Sequence, residues 1–199
     1  MELHSILRHR RLRTLLQPIL DLDGGTLHGH EGLIRGPSDS TLHSPLALLR
    51  GADQAGLRLE AELICIDTII GDFARQRLDG KLFLNLSPKV MADHHPRPLD
   101  ELLAMLKANH LAPDRIVIEL TEDGQPAESN TLHDILSDYR RVGLFIALDD
   151  LGEGYSSLRR WSELRALCRY VWNLTVISYE RSSQASVARP APAGCPANA

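Results

Sequence analysis

Three apolar runs in this sequence end in side-chain oxygens. "KLFLNLS" closes with Asn85 and Ser87, "RIVIELTE" with Glu119, Thr121 and Glu122, and "LFIALDD" with Asp149 and Asp150. Two-residue alternation along an extended chain puts Phe83 with Asn85 on one face, Val117 with Glu119, and Phe145 and Ala147 with Asp149. Together with Glu31 these residues form a set of carboxylates and one amide with no well-placed Cys or His, which suits hard divalent ions such as Mg²⁺ or Mn²⁺. Phosphate chemistry is the natural use of such a set. Two ions held about 3.5 to 4 Å apart activate a water and neutralise the leaving oxygen of a phosphodiester. The adjacent pair Asp149 and Asp150 can serve both ions only where Asp150 has left the regular pleat.

The elements that must position these residues follow from the pattern between them. "LLQPILDL" and "TLHGHEGLIR" are separated by Asp23-Gly24-Gly25, too short a turn for a parallel crossover, so they predict an antiparallel hairpin. Two helices are predicted next: "SPLALLRGADQAG", with Ser44 as N-cap, and a longer one carrying Leu59, Leu63, Ile66, Ile70 and Phe73 as a core-facing stripe. From there strands alternate with the helices "LDELLAMLKANH" and "NTLHDILSDYRRVG", the pattern of parallel strands joined by crossovers. Polar side chains at the carboxyl ends of parallel strands fit the active-site rim of a (β/α) barrel. An open doubly wound sheet places its ligands at the same ends and remains an alternative on this pattern alone.

Composition narrows the class. The chain has 199 residues, 43% of them hydrophobic, and a formal net charge of -4, which suits one globular domain and gives no general reason to expect nucleic acid as a partner. The basic stretch "RHRRLRT" reads as a solvated flank. No run approaches the roughly 18 apolar residues of a membrane span and no secretory h-region follows the basic start, so no membrane segment and a cytoplasmic location are expected. Cys65, Cys168 and Cys195 have no metal-ligand or redox spacing, and Cys65 reads as a core residue of a helix.

"QPI" with "EGLIR", then "NLSP", "ELTE" and "DDLGEGYSSL", occur in this order across residues 14 to 165 and resemble the EAL domain family of cyclic-di-GMP phosphodiesterases. The resemblance implies a TIM-like barrel with an antiparallel first strand, of which about five of eight strands are recognisable here. It also implies hydrolysis of cyclic-di-GMP to the linear dinucleotide with two metal ions, Mg²⁺ or Mn²⁺. Carried over, Glu31, Asn85, Glu119 and Asp149 become metal ligands and Asp150 assists a second ion. Glu31, Asp149 and Asp150 are then the catalytic set. Gln17, Leu33 and Arg35 contact the dinucleotide, Arg35 as the bidentate phosphate partner for which its guanidinium is suited. A homodimer is compatible with the resemblance, and the sequence leaves the oligomeric state open.

The chain departs from the family pattern in several places. Gly32 replaces the alanine of the name-giving motif, Leu151 an aromatic and Glu153 a small residue, the last two in the loop that family members use to couple dimerisation to activity. After "WSELR" the pattern asks for a sixth strand with a V-K-x-D arrangement. Residues 165 to 199 instead hold one acid, Glu180, of the chain's 26, no lysine, and a Pro/Ala-rich finish of the kind that stays disordered. The expected organisation is a flank over 1-13, a partial EAL domain over 14-165 and a non-family tail over 166-199, truncated or altered by a change of reading frame near Leu164 to Leu167. Within the tail, "RYVWNLTVISY" has the content of an improvised sixth strand. Two functions therefore stand. One is the phosphodiesterase, whose reaction is expected to be impaired or lost here because strands six to eight and their late site residues are missing. The other, the reading favoured for this chain, is a non-catalytic remnant that binds cyclic-di-GMP or a protein partner.

Overall fold

The computed structural model describes residues 2–20, 25–120, 129–148 and 170–171. It begins with helix α1 (Glu2–Arg8), followed by strands β1 (Arg13–Leu20) and β2 (Leu27–Arg35) and helices α2 (Pro45–Gln54) and α3 (Arg58–Arg75). Then come β3 (Lys81–Leu86), α4 (Pro88–His94), α5 (Arg97–Ala108), β4 (Ile116–Leu120), α6 (Ser129–Arg141), β5 (Phe145–Leu148) and β6 (Tyr170–Val171). All six strands form one sheet in the order β1-β2-β3-β4-β5-β6. β1 runs antiparallel to β2, and every later pairing is parallel.

That order decides between the two architectures the sequence left open. A doubly wound sheet reverses its strand order at a switch point, whereas a barrel adds each new strand beside the last. The sheet here never reverses, and both of its faces are covered. The larger core lies under the helices, where Ile34, Leu82, Leu84, Ile116, Ile118 and Ile146 of the strands meet Leu48, Ile66, Ile70, Phe73, Leu102 and Leu136 of the helices. A smaller core of Ile19, Phe83, Val117 and Ala147 occupies the other face, with Phe145 packed against it. An inner core of odd-numbered strand residues inside a helix-covered sheet is the cross-section of a barrel.

Local chemistry accounts for the boundaries. Ser44 caps α2 by accepting a hydrogen bond from the Ala47 N–H at 3.2 Å, as its position predicts. The expected stripe Leu59, Leu63, Ile66, Ile70 and Phe73 is buried along α3. Several helices end on a residue in the left-handed region, and only some of these are glycine. Gly56 follows α2 at φ 67°, Arg77 follows α3 at 52°, His110 follows α5 at 55° and Gly143 follows α6 at 96°. In each case the next N–H turns back to a carbonyl five residues upstream: Leu57 to Ala52, Leu78 to Phe73, Leu111 to Leu106 and Leu144 to Tyr139. This double-bonded helix stop brings a leucine onto the core each time.

Three features differ from the sequence reading. The segment read as a flank contains α1, whose Leu3, Ile6 and Leu7 are buried because their three-and-four spacing puts them on one side of the helix. Arg8, His9, Arg10 and Arg11 behind it are exposed, as a solvated stretch requires. The chain between β3 and α5 holds the extra short helix α4. Of the stretch read as an improvised sixth strand, the described residues are Tyr170 and Val171, which pair with Ala147 and Leu148.

Candidate functional site

Register carries the argument about the inner face, because parallel partners in adjacent strands share a side of the sheet. Gln17 lies opposite Glu31, Glu31 beside Phe83, Asn85 beside Glu119, and Glu119 beside Ala147. Gln17, Glu31, Phe83, Asn85, Val117, Glu119 and Ala147 therefore all point to the inside. Phe83, Val117 and Ala147 fill it; Asn85 and Glu119 stand toward the carboxyl ends of β3 and β4, and Glu31 lies at the middle of β2. Leu33 and Arg35 continue the same face along β2.

Glu31 is only 7% exposed and Glu119 is fully buried. The Asn85 amide nitrogen donates to a Glu31 carboxylate oxygen at 3.4 Å, so β2 and β3 are linked through their polar ends. Withdrawing two acids from water carries a desolvation cost, and hydrogen-bond donors or cations offset it. Oxygen donors of this kind fit a hard divalent ion, with Asn85 offering its amide oxygen. Among the described residues no cluster of three or more His, Cys, Asp or Glu side chains is assembled. The expected partners Asp149 and Asp150, together with Thr121 and Glu122, lie outside the described residues, as do Leu151 and Glu153.

The substrate-side candidates have distinct surroundings. Arg35 is half-buried and its guanidinium donates to the carbonyl of Ile34 at 2.8 Å. Gln17 is half-buried in the middle of β1. Leu33 lines a cavity of about 280 Å³ between the ends of β2 and β3 and helices α2 and α3, and Asn85, Ser87 and Glu62 line it too.

Glu62 is the residue that sequence reasoning missed. It is a carboxylate on the buried face of α3, 5% exposed, within the stripe read as purely apolar. One oxygen accepts from the Arg58 Nε at 2.5 Å and the other from the Ser87 backbone N–H at 3.2 Å. Burial holds its carboxyl above the usual carboxylate range, against the opposing pull of Arg58 and the Ser87 N–H. The signal was available in the spacing, since Glu62 follows Leu59 by three and precedes Ile66 by four. On the same helix Cys65 is buried and burial pushes its thiol up to about 12, which makes it an inert core residue, as expected.

Strands added in sequence order beside one another, parallel after the first pairing and covered by helices, are the architecture of a (β/α) barrel. The EAL domain model matches residues 2–166, and the chain belongs to the EAL domain family. A curated relative, the probable cyclic di-GMP phosphodiesterase PdeB of Escherichia coli, is 34% identical over 167 residues, covering 81% of this chain and 32% of its own. PdeI of the same organism, also a probable cyclic di-GMP phosphodiesterase, is 28% identical over 74% of this chain and 20% of its own. The chain thus spans a third or less of these relatives. Among solved structures, the Bacillus subtilis YkuI protein in complex with c-di-GMP and calcium superposes with a TM-score of 0.67 at 25% identity, covering 86% of this chain and 43% of that one. Klebsiella pneumoniae BlrP1 in a calcium and c-di-GMP complex gives 0.65 at 28% identity, covering 76% and 38%. No helix among the described residues is long and apolar enough to cross a membrane.

Proposed function

We propose that this domain binds cyclic-di-GMP at the carboxyl rim of its barrel, together with Mg²⁺ or Mn²⁺, and hydrolyses it to the linear dinucleotide. The observation that carries the reading is the placement of Glu31, Asn85 and Glu119 on one inner face of three neighbouring strands, in a chain of this family. Relatives support it, since YkuI and BlrP1 hold c-di-GMP with calcium, and BlrP1 also with manganese. Glu31, Asn85 and Glu119 would hold the ion, with Asp149 and Asp150 completing the set. The ion supplies Lewis acidity toward a phosphodiester oxygen. Arg35 grips a phosphate through its fork of donors, Gln17 offers its amide across from Glu31, and Leu33 gives the ligand an apolar wall. A cytoplasmic location belongs to the same reading, and the oligomeric state, a homodimer included, is measured by sedimentation of the same preparation.

A second reading, binding without turnover, is favoured by one observation. The family match stops at residue 166, and the stretch after it has no lysine and a single acid. Incubating the purified chain with cyclic-di-GMP and Mn²⁺, with the linear product read by chromatography, separates the two. Product formation abolished by Glu31→Ala establishes the hydrolase; binding with no product establishes the second reading. Neither binding nor product overturns both.

A further inference from the structure

We infer that Glu62, held by Arg58, is a positioning residue that fixes the end of β3 and thereby aims Asn85 at the metal site. The inference rests on the metal-site reading above. Its first support is where the carboxylate sits. Glu62 occupies a helix position flanked by Leu59, Leu63, Cys65 and Ile66, all buried, where an apolar side chain would pack without desolvating a charge. Buried ion pairs are commonly no more stabilising than apolar replacements of similar volume, so stability alone gives poor grounds for this one.

Its second support is what the two oxygens do. Arg58 is clamped from both sides, Nε on Glu62 at 2.5 Å and Nη1 on Asp53 at 2.7 Å, which leaves the Glu62 carboxylate little freedom. The other oxygen takes the N–H of Ser87 at 3.2 Å. Ser87 is the residue at which β3 has ended and α4 begins, with no side-chain cap bond of its own and a proline next. A backbone N–H at such a junction has no ladder or helical acceptor, and here a side chain from another element supplies it. Ser87 stands two residues beyond Asn85, so the tether sets the path of the chain just past the candidate ligand. Glu62, Asn85 and Ser87 also line one cavity. Metal ligands work only when held close to a fixed geometry, and the partners that hold them matter almost as much as the ligands.

The test compares Glu62→Leu and Glu62→Gln with the wild-type chain, using NMR hydrogen exchange at Ser87 and Mn²⁺ affinity followed by electron paramagnetic resonance. In Glu62→Leu the Ser87 N–H is expected to exchange about 10-fold faster or more, with Ile116 to Leu120 unchanged. Mn²⁺ affinity, read at a temperature where the variant is folded, is expected to fall roughly 10- to 100-fold, beside a lower melting temperature because Arg58 and the Ser87 N–H lose their acceptor. Glu62→Gln keeps one acceptor oxygen and is expected to recover most of the affinity. Unchanged Mn²⁺ affinity in Glu62→Leu at a temperature where it is folded overturns the inference and leaves the metal site standing. A wild-type chain that binds no Mn²⁺ overturns the metal-site reading, and this one with it. Should Glu62→Leu not fold, Glu62→Gln decides by its two readouts together: Mn²⁺ affinity and slow Ser87 exchange both kept, or both lost, support the inference, and either one changing without the other overturns it.

Discussion

The two ends of the barrel use charge in opposite ways. At the amino ends of β3 and β4, cations meet backbone carbonyls: Arg115 donates to the carbonyls of Leu78 at 2.8 Å and Gly80 at 2.9 Å, and Lys81 donates to that of Asp114 at 2.8 Å. Both also lie over rings, the Arg115 guanidinium 5.1 Å from the Phe73 centroid and the Lys81 ammonium 4.2 Å from that of Phe145. At the carboxyl ends, acids are withdrawn from water with an amide among them. The lower end satisfies its own backbone and strengthens the fold. The upper end buries carboxylates at a desolvation cost that apolar side chains would not carry. One end therefore reads as support and the other as function, in keeping with how barrels divide their work.

The sharpest way to break this comparison is to exchange what each end is asked to do. Glu119→Ala should reduce Mn²⁺ affinity at least 100-fold while leaving the urea midpoint unchanged or higher; a large fall in that midpoint would mean the upper end carries stability after all. Arg115→Ala should do the reverse. It strands two carbonyls and removes a ring contact, a loss of about 2 to 4 kcal/mol in urea unfolding with metal affinity intact.

Between the ends, Gly32→Ala sharpens the picture. A methyl added there would lie 2.3 Å from the branched Cγ2 of Ile69 in α3, so restoring the motif's alanine should cost about 1 to 3 kcal/mol, part of it recovered when Ile69 is also cut to alanine. The smallest effects belong to the helix stops remote from the site. Arg77→Gly and His110→Gly each relieve a left-handed backbone and should stabilise the chain by about 1 kcal/mol with no change in ligand binding.

Much of this was legible before the structure. The hairpin followed from a turn too short to cross over, and the inner position of Asn85 and Glu119 followed from two-residue alternation ending in oxygens. What escaped was short or disguised. α4 has seven residues between Pro88 and His94, too few for a periodic signal, and α1 is as short and runs directly into arginines that look like an exposed flank. Gly32 looked like a simple loss of a methyl group, because nothing in a linear sequence shows that Ile69 fills the space. Glu62 was overlooked because one charge inside an apolar stripe resembles its edge; only the Ser87 N–H, 25 residues away, reveals what it holds. The order of the strands, which separates a barrel from a doubly wound sheet, is a tertiary fact that no local pattern contains.

The reversed first strand has a mechanical consequence. Because β1 runs against β2, Arg13 is the register partner of Arg35, and the chain enters the sheet at the carboxyl end of β2 instead of the opposite end. Helix α1, rooted by Leu3, Ile6 and Leu7, sits just ahead of that entry point. A pull or twist delivered along α1 reaches Arg35 across a single rung of the ladder, with no need to travel the length of the barrel. The hairpin is thus a lever whose short arm ends beside Arg35.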